Sequence, residues 1–423
     1  MHLLTWAATD TGQTRKLNED SHLLVPDIGL VGVADGMGGF QRGDVASALA
    51  CNVIKEAILT DRHVLERYRA EASDPNRLAV RTLIEESVQR ACEEVHQAAV
   101  AIAGEGGRIG TTIDLVLVAG TTAFTAHVGD GRIYLLRGQE AHQLTEDHTL
   151  VQQQVTQGLI TAEEARKAKF KNVITRALGV FPSVMIDTLT FELDRADRFL
   201  LCSDGLYRYV GLRELGFTLG GPISDDTATR LVALANERGG RDNITVVLAT
   251  ADKEMTGEFV PPTRARMEIL RKVDLFQYCT YRELMAVCQV SETRLVMAGT
   301  QLFRDGEIGR ELFIIQSGEV AIEKSGMRLA TLGPAEYFGE MSFIDIPRRS
   351  ADAVTLTDSS FLVLRRDRFL QLVKQNSDLA AKVMWQLLQK LTRVVRQTNE
   401  KLVAETISLD DSLEEEDTEE KVG

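Results

Sequence analysis

No apolar run in this 423-residue chain approaches the roughly 20 residues of a membrane-spanning helix, so neither a helical membrane protein nor a membrane partner is expected. The first ten residues carry no basic segment ahead of their few apolar ones, so a secretory leader is not expected. Cysteine is scarce. Cys51, Cys92, Cys202, Cys279 and Cys288 are scattered, odd in number and without metal-ligand spacing. That usage argues against a disulfide framework and points to small core residues in a reducing cytoplasm. Positive charge is also short: the net charge is −14, and nothing resembles the basic footprint of a nucleic-acid binder. Nine acids and one lysine fall between Ala404 and Gly423, so this tail holds −8 of the total and the rest of the chain −6. A charge run of this kind, over 404–423, reads as a solvated, disordered tail.

What the chain does contain fits a soluble globular protein of two or three domains: 44% of residues are hydrophobic and 26% charged. The organising stretch is LVGVADGMGGF, Leu30 to Phe40. Leu30 to Ala34 reads as a buried strand that stops at Asp35, and the glycines after it permit a sharp turn. A carboxylate beside the unobstructed carbonyl of Gly36 is a half-site for a hard divalent cation. Taken alone, it is equally an ordinary turn.

The same pattern recurs along the chain. Leu3 to Thr9 and His22 to Val25 read as strands flanking Arg15-Lys16-Leu17-Asn18-Glu19-Asp20, where an arginine can hold a phosphate and two acids can hold waters around a cation. Two amphipathic helices follow, Asp44 to Leu59 and Asn76 to Ala103, with His63 and His96 as surface or packing residues. Gly110 to Val118 and Thr121 to Val128 read as a hairpin, and Ile133 to Arg137 as a third strand continuing the meander. Asp114 within that hairpin is expected to face outward or to be hydrogen bonded. Asp130 ends the second hairpin strand, Asp204 follows the buried run Arg198 to Cys202, and Asp242 precedes the last strand. Gln152 to Lys171 reads as a polar helical flap. Four acids converging at strand ends would repel one another unless cations neutralise them, so a shared metal site is the economical explanation.

Seven motifs in order resemble the metal-dependent type 2C serine/threonine protein phosphatases, especially bacterial ones: R-x-x-NED (Arg15 to Asp20), DGMGG (Asp35 to Gly39), GTT (Gly110 to Thr112), VGDGR (Val128 to Arg132), LTEDHT (Leu144 to Thr149), SDG (Ser203 to Gly205) and RDN (Arg241 to Asn243). The resemblance covers residues 1–250 and implies an αββα sandwich of four layers, α+β in class, with a binuclear Mn²⁺ or Mg²⁺ centre. By that resemblance Asp35 bridges both ions, the Gly36 carbonyl binds the first, and Asp204 and Asp242 bind the second. Glu19 and Asp20 organise water on the metals, Arg15 grips the substrate phosphate, and Asp130 helps hold a third, weaker ion. The implied substrate is a protein phosphorylated by a bacterial serine/threonine kinase. Two positions depart from the pattern. Met37 stands where eukaryotic relatives commonly carry a histidine proposed as general acid, and methionine cannot donate a proton. Gly131 stands where the family usually has serine, which bears on the support of Asp130.

Residues 251–268 are polar, contain Pro261-Pro262 and read as a linker. Met267 to Val287 looks helical, and short strands at Thr293 to Ala298, Leu312 to Gln316 and Val320 to Glu323, with glycine corners, suggest a β-roll. Phe338-Gly339-Glu340-Met341-Ser342 with Pro347-Arg348-Arg349-Ser350 makes a pocket for a single phosphate. Over 269–396 this arrangement resembles the cyclic-nucleotide-binding domain family. By that resemblance Gly339 and Glu340 meet the ribose of cAMP or cGMP, and Arg349 and Ser350 meet the cyclic phosphate. Asp378 to Leu402 reads as a helix that in this family closes over the base or dimerises, giving a homodimer, with Trp385 expected to bury against the roll. The resulting expectation is a cytoplasmic phosphoprotein phosphatase tuned by a cyclic nucleotide. Its rivals are a catalytically dead scaffold that responds to nucleotide, and an active enzyme whose β-roll only docks or dimerises.

Overall fold

The structure, a computed structural model, describes residues 3–38, 42–104, 109–170, 172–194, 197–251, 263–344 and 348–419. Gly39 and Phe40 of the organising stretch, most of the expected linker, Pro347 and the last four residues lie outside the described residues. The chain divides into two units, Met1–Ala265 and Arg266–Gly423.

The first unit begins with β1 (Leu3–Asp10), β2 (Asp20–Val25) and β3 (Leu30–Met37), then α1 (Gly43–Thr60), α2 (His63–Ala70) and α3 (Asp74–Ala103). There follow β4 (Gly110–Thr111), β5 (Ile113–Ala119), β6 (Thr122–Val128), β7 (Arg132–Arg137), β8 (Glu140–Gln143), α4 (Leu150–Thr156) and α5 (Ala162–Lys167). It closes with β9 (Asp187–Glu192), β10 (Arg198–Cys202), α6 (Asp204–Tyr207), α7 (Leu212–Gly220), α8 (Thr227–Glu237) and β11 (Ile244–Ala251). One sheet has the order β1-β11-β10-β7-β8, and the other β2-β3-β5-β6-β9 with β4 beside β3.

Helices cover the outer face of each sheet. Leu115, Leu117 and Phe124 pack against Ile54, Ile58, Ile84 and Val88 of α1 and α3. On the other sheet Leu200, Val246 and Leu248 pack against Leu215, Leu231 and Ala235 of α7 and α8. Side chains alternate along a strand, so the intervening buried residues Val116, Val118, Leu201 and Val247 fill the space between the sheets. Burial on both faces explains why these strands read as unbroken apolar runs. The layer order is αββα, as the family resemblance implied.

Four details differ from the sequence reading. The strand from Leu30 continues through Asp35 to Met37, because Asp20 pairs with Asp35 and Gly36 with Thr111. The strand from Gly110 breaks at Thr112, whose side chain turns to Asp35. The strand after Asp130 does not continue the hairpin's meander: β7 joins β10 and β8 in the opposite sheet. Helix α2 carries too few apolar residues to show periodicity, and only Leu65 and Tyr68 bury.

The second unit opens within α9 (Thr263–Lys272), which starts inside the expected linker, and continues with α10 (Tyr281–Gln289), separated from it by a turn of 3-10 helix at Asp274–Phe276. The expected single helix is therefore broken. The strands are β12 (Ser291–Val296), β13 (Gln301–Phe303), β14 (Glu311–Ser317), β15 (Val320–Lys324), β16 (Met327–Leu332) and β17 (Tyr337–Phe338). After α11 (Glu340–Ile344) come β18 (Asp352–Thr355), β19 (Ser359–Arg365), α12 (Arg366–Gln375) and α13 (Ser377–Glu419). Two four-stranded sheets, β12-β19-β14-β17 and β13-β18-β15-β16, enclose Phe313, Phe338, Phe361, Ile315 and Val363. Helix α13 runs on through the acidic stretch expected to be disordered, since its Glu, Leu and Ala content favours helix. Trp385 on that helix is 58% exposed and does not bury against the roll. Among the described residues no helix is long and apolar enough to cross a membrane.

The rings of Phe313 and Phe338 stack 5.2 Å apart, with Phe361 edge-on to both. Phe313→Ala is expected to cost the second unit about 3–5 kcal/mol. Urea denaturation followed by far-UV circular dichroism measures it, and a loss below 1 kcal/mol () would show that the ring cluster is not the core of the roll.

Candidate active site

The acidic residues picked out in the first half meet where the two sheets face each other. Asp20 and Asp35 are cross-strand partners on β2 and β3, which brings two carboxylates together with no choice left to the side chains. The Asp35 amide accepts no freedom either: its N–H donates to Thr112 Oγ1 at 2.9 Å, and its carbonyl accepts from the Thr111 hydroxyl. From the opposite sheet, the Ser203 hydroxyl donates to Asp20 Oδ2 at 2.8 Å and places Asp204 beside it. Asn243 staples the loop before β2, accepting from the Glu19 N–H and donating to the carbonyls of Thr11 and Leu17. Its neighbour Asp242 is thereby fixed at the same rim. Glu19 reaches the start of α1, accepting from the Gly43 N–H at 3.0 Å. Asp130 is buried in the turn before β7, where its carbonyl accepts from the Tyr207 hydroxyl.

Burial and mutual repulsion dominate the electrostatics. Removal from water raises Asp204 to about 6, Asp20 to about 7 and Asp130 to about 8, with neighbouring carboxylates adding to it. Asp35 rises well above the carboxylate range for the same reasons, with Asp20, Asp204, Asp130 and Asp242 all acting on it. Two arginines enter the cluster. Arg15 clasps Asp242 by Nε at 2.9 Å and Nη2 at 3.0 Å, and Arg208 pairs with Asp204. No three acidic, histidine or cysteine side chains among the described residues stand at coordinating distance from one common point. Yet Asp20 Oδ1 and Asp204 Oδ1 are buried without a hydrogen-bond partner, which hard oxygen donors tolerate when a divalent cation takes them. The donor set therefore fits Mn²⁺ or Mg²⁺.

Asp114, expected to face outward or to be hydrogen bonded, is fully buried and bonded. Its Oδ1 accepts from His127 Nδ1 at 2.8 Å, and His127 Nε2 donates to the Glu146 carbonyl at 2.9 Å. The Glu146 carbonyl can only accept, so Nε2 carries a proton, and Asp114 and Nδ1 share another between them. Burial opposes a charged imidazole, but Asp114 outweighs it and holds His127 above the ordinary histidine range. The ring of His148 lies 4.5 Å away and stays neutral, lowered to about 4 by burial, its Nδ1 accepting from the Gly129 N–H. Gly131 belongs to this arrangement: a Cβ there would fall 1.9 Å from Asp114 Oδ2. The departure from serine thus makes room for Asp114. Arg208 and His127 escaped the sequence reading. Arg208 had a signal, since it falls one helical turn after Asp204.

In the second unit Arg349 Nη1 lies 3.4 Å from the Gly339 carbonyl. Arg349 is 5% exposed; its Nη1 donates to the Glu311 carbonyl and Ser342 Oγ, both at 2.9 Å, and its guanidinium lies 4.0 Å over Phe303. A Cβ at Gly309 or Gly339 would collide with it. Arg349 Nε is buried without a partner. Arg349 lines a cleft of about 640 Å³ with Phe303, Gly309, Arg365, Arg366 and Leu370, on which Glu340 and Ser350 do not border. Glu340 pairs with Lys390 of α13 at 3.0 Å, and exposed Ser350 donates to the Met341 sulfur. Lys390 was missed because nothing local marks it, and Ser342 was read only as part of the motif, with no role of its own.

A sandwich with buried, mutually repelling acids at one rim and an arginine at its mouth is the architecture of a metal-dependent phosphohydrolase. The protein phosphatase 2C profile matches residues 12–249 and the cyclic nucleotide-binding domain profile residues 293–376. The serine/threonine phosphatase stp of Listeria monocytogenes is 34% identical over 253 residues, 59% of this chain and 96% of that protein. PhpP of Streptococcus pneumoniae is 35% identical over 257 residues, 58% of this chain and 96% of that protein. The crystal structure of the Mycobacterium tuberculosis phosphatase PstP superposes with a TM-score of 0.51 at 33% identity, covering 60% of this chain and all of that one. This chain belongs to the protein phosphatase 2C family.

Unfolded carboxylates titrate near 3.9 (), whereas Asp204, Asp20 and Asp130 titrate at about 6, 7 and 8 when folded. The native state then binds more protons than the unfolded one across that window, so stability falls as pH rises through it. In EDTA the melting temperature of the first unit is expected to drop from about pH 5 to about pH 8, and added Mn²⁺ to remove the slope. Scanning calorimetry decides it; a profile in EDTA that is flat or rises with pH contradicts the reading. Gly131→Ser is expected to cost about 1–3 kcal/mol by overpacking against Asp114. Unchanged stability in chemical denaturation would mean that the Asp114 carboxylate can turn aside.

Proposed function

We propose that the chain hydrolyses phosphoserine and phosphothreonine on proteins, in the cytoplasm, with two Mn²⁺ or Mg²⁺ ions, and that a cyclic nucleotide at the β-roll tunes it. The substrate is a phosphoprotein made by a bacterial serine/threonine kinase. The observation that carries the catalytic reading is the convergence of Asp35, Asp204 and Asp242, from distant parts of the chain, with two buried carboxylate oxygens lacking partners. Asp35, the Gly36 carbonyl, Asp204 and Asp242 would hold the ions. The chemistry such ions supply is a hydroxide at neutral pH and neutralisation of charge on the phosphoryl oxygens during in-line displacement.

The chain's own groups do the rest. Glu19 and Asp20 lie on the loop and strand facing Asp35, where they hold waters in register for attack. Arg15 spends two of its five N–H groups on Asp242 and keeps the others for a phosphate, from a side chain that is half exposed. Met37 closes the strand without a titratable proton, so the proton for the leaving alkoxide comes from water or from another residue. At the roll, Gly339 and Glu340 would meet the ribose and Arg349 and Ser350 the phosphate of cAMP or cGMP. Support comes from the buried Arg349 beside Gly339 and from the domain match over residues 293–376. Regulation requires that the nucleotide bind two conformations with different affinity.

One observation favours a second reading, in which the roll docks or dimerises. Leu388, Leu391 and Val395 of α13 are exposed at spacings of three and four, the seam of a helix pair.

Phosphopeptide turnover with Mn²⁺ tests the first reading. Asp35→Asn is expected to lower kcat by more than about 100-fold. Arg15→Ala should lower kcat/KM about 10- to 100-fold, mostly through KM, because a hydrogen bond to a charged group is worth roughly 1.5–3 kcal/mol. No metal-stimulated hydrolysis by the wild type leaves the scaffold reading. Calorimetry with cAMP and cGMP on wild type and Arg349→Ala separates the rest: binding lost in the variant supports nucleotide regulation, and absence of heat in both leaves docking.

A further inference from the structure

Asn18 and Asn243 belong to the recurrent motifs, yet neither has a part in the chemistry derived so far. Both bear on the loop of residues 11–19, which carries Arg15. That loop leaves β1 after Asp10, and Asp10 is the cross-strand partner of Ile244, the first residue of β11. Asn243 therefore stands where the loop begins, next to Asp242, and it is 4% exposed. Its Nδ2 donates to the Thr11 carbonyl at 2.9 Å and to the Leu17 carbonyl at 2.8 Å, and its Oδ1 accepts from the Glu19 N–H at 2.9 Å. Two carbonyls and one N–H around a single side chain are satisfied by a carboxamide in one orientation. A carboxylate or an aliphatic group of the same shape lacks the donors.

The three contacts bracket Arg15: Thr11 precedes it by four residues, and Leu17 and Glu19 follow it by two and four. Asn18 ties down the far end of the same loop. Its Nδ2 donates to Thr9 Oγ1 at 2.7 Å, its Oδ1 accepts from the Asp20 N–H at 3.1 Å, and Thr9 Oγ1 shares a hydrogen bond of 2.7 Å with Thr245 Oγ1 of β11. Both ends of the loop are thus fastened to the strand pair β1 and β11, with Arg15 on the stretch between them. The Arg15 side chain is 49% exposed, so its own packing fixes it little. Its planar two-pronged grip on a phosphate demands a defined approach, and that approach is set by where the backbone holds its Cα. Without Asn243 the backbone groups of Thr11, Leu17 and Glu19 would turn to water, and the loop would lose that definition.

We infer that Asn243 is a positioning residue for substrate binding: it holds the loop of residues 11–19 against β11 so that the Arg15 guanidinium meets the substrate phosphate at the acidic rim. The inference rests on the phosphatase reading above, with Arg15 as the phosphate's partner. Asn243 acts through Arg15 and touches no substrate itself. The rival route for its influence is its neighbour Asp242, and that route would show in turnover, whereas the route through Arg15 shows in KM.

The test is a double-mutant cycle on the full chain, with a phosphopeptide and saturating Mn²⁺, over wild type, Asn243→Ala, Arg15→Ala and the double variant. Asn243→Ala removes all three hydrogen bonds and is expected to raise KM about 10-fold with kcat held within about 3-fold. In the Arg15→Ala background the same substitution should change kcat/KM less than about 2-fold, because the group it positions is already gone. An unchanged KM in Asn243→Ala overturns the inference, and so does an equal loss in both backgrounds. A loss carried by kcat overturns it as well and assigns Asn243 to Asp242. Should circular dichroism show Asn243→Ala unfolded at the assay temperature, Asn243→Ser, which keeps one hydroxyl for a single partner, runs the same cycle with the same expectations. A wild type without Mn²⁺-dependent turnover removes the phosphatase reading and this inference with it, whereas independent effects in an active wild type remove this inference alone.

Discussion

Carboxylates cannot be buried side by side without something positive among them, and most of the first unit answers to that constraint. Strand pairing forces Asp20 against Asp35, and Ser203 brings in Asp204 from the facing sheet. In apolar surroundings the energy of that juxtaposition far exceeds any single packing contact. Protons, guanidinium groups and divalent cations are the available remedies. Raised carboxyl pKa values show the first, Arg15 and Arg208 the second, and the unpartnered oxygens of Asp20 and Asp204 leave room for the third. A fold that stores this repulsion in its core is one in which metal affinity and stability are the same quantity seen from two sides.

The neighbouring charges are kept separate from that cluster. Asp114 is buried like Asp35, but it is hydrogen bonded to His127, and the neutral His148 beside that ring adds no further positive charge. Gly131 supplies the space for this pair. Arg132 and Asp147 close a further pair around Tyr207.

The β-roll solves the converse problem, a buried cation. Arg349 sits on Phe303 and spends Nη1 on carbonyls and a serine of its own cassette, while Glu340 holds Lys390 from α13. Both charged residues that the resemblance turns toward a nucleotide already have protein partners. A ligand there competes with internal contacts, and such competition is what lets binding shift a conformation.

Local sequence settled the strands with unbroken apolar runs, the two long amphipathic helices, the acids beside glycine and the order of the seven motifs, because each depends on nearest neighbours or on spacing along the chain. It placed Asp35 at a strand end and β7 in the wrong sheet, because strand length and sheet membership are set by partners far away, such as Thr111 for Gly36 and Leu201 for Ile133. Which charge meets which was likewise invisible: Arg208 on Asp204, His127 on Asp114 and Lys390 on Glu340 arise only when separate elements pack. The sequence alone determined that acids and glycines of this kind recur at strand boundaries; the tertiary structure decided that they share one buried space, since only folding removes the water that would otherwise screen them.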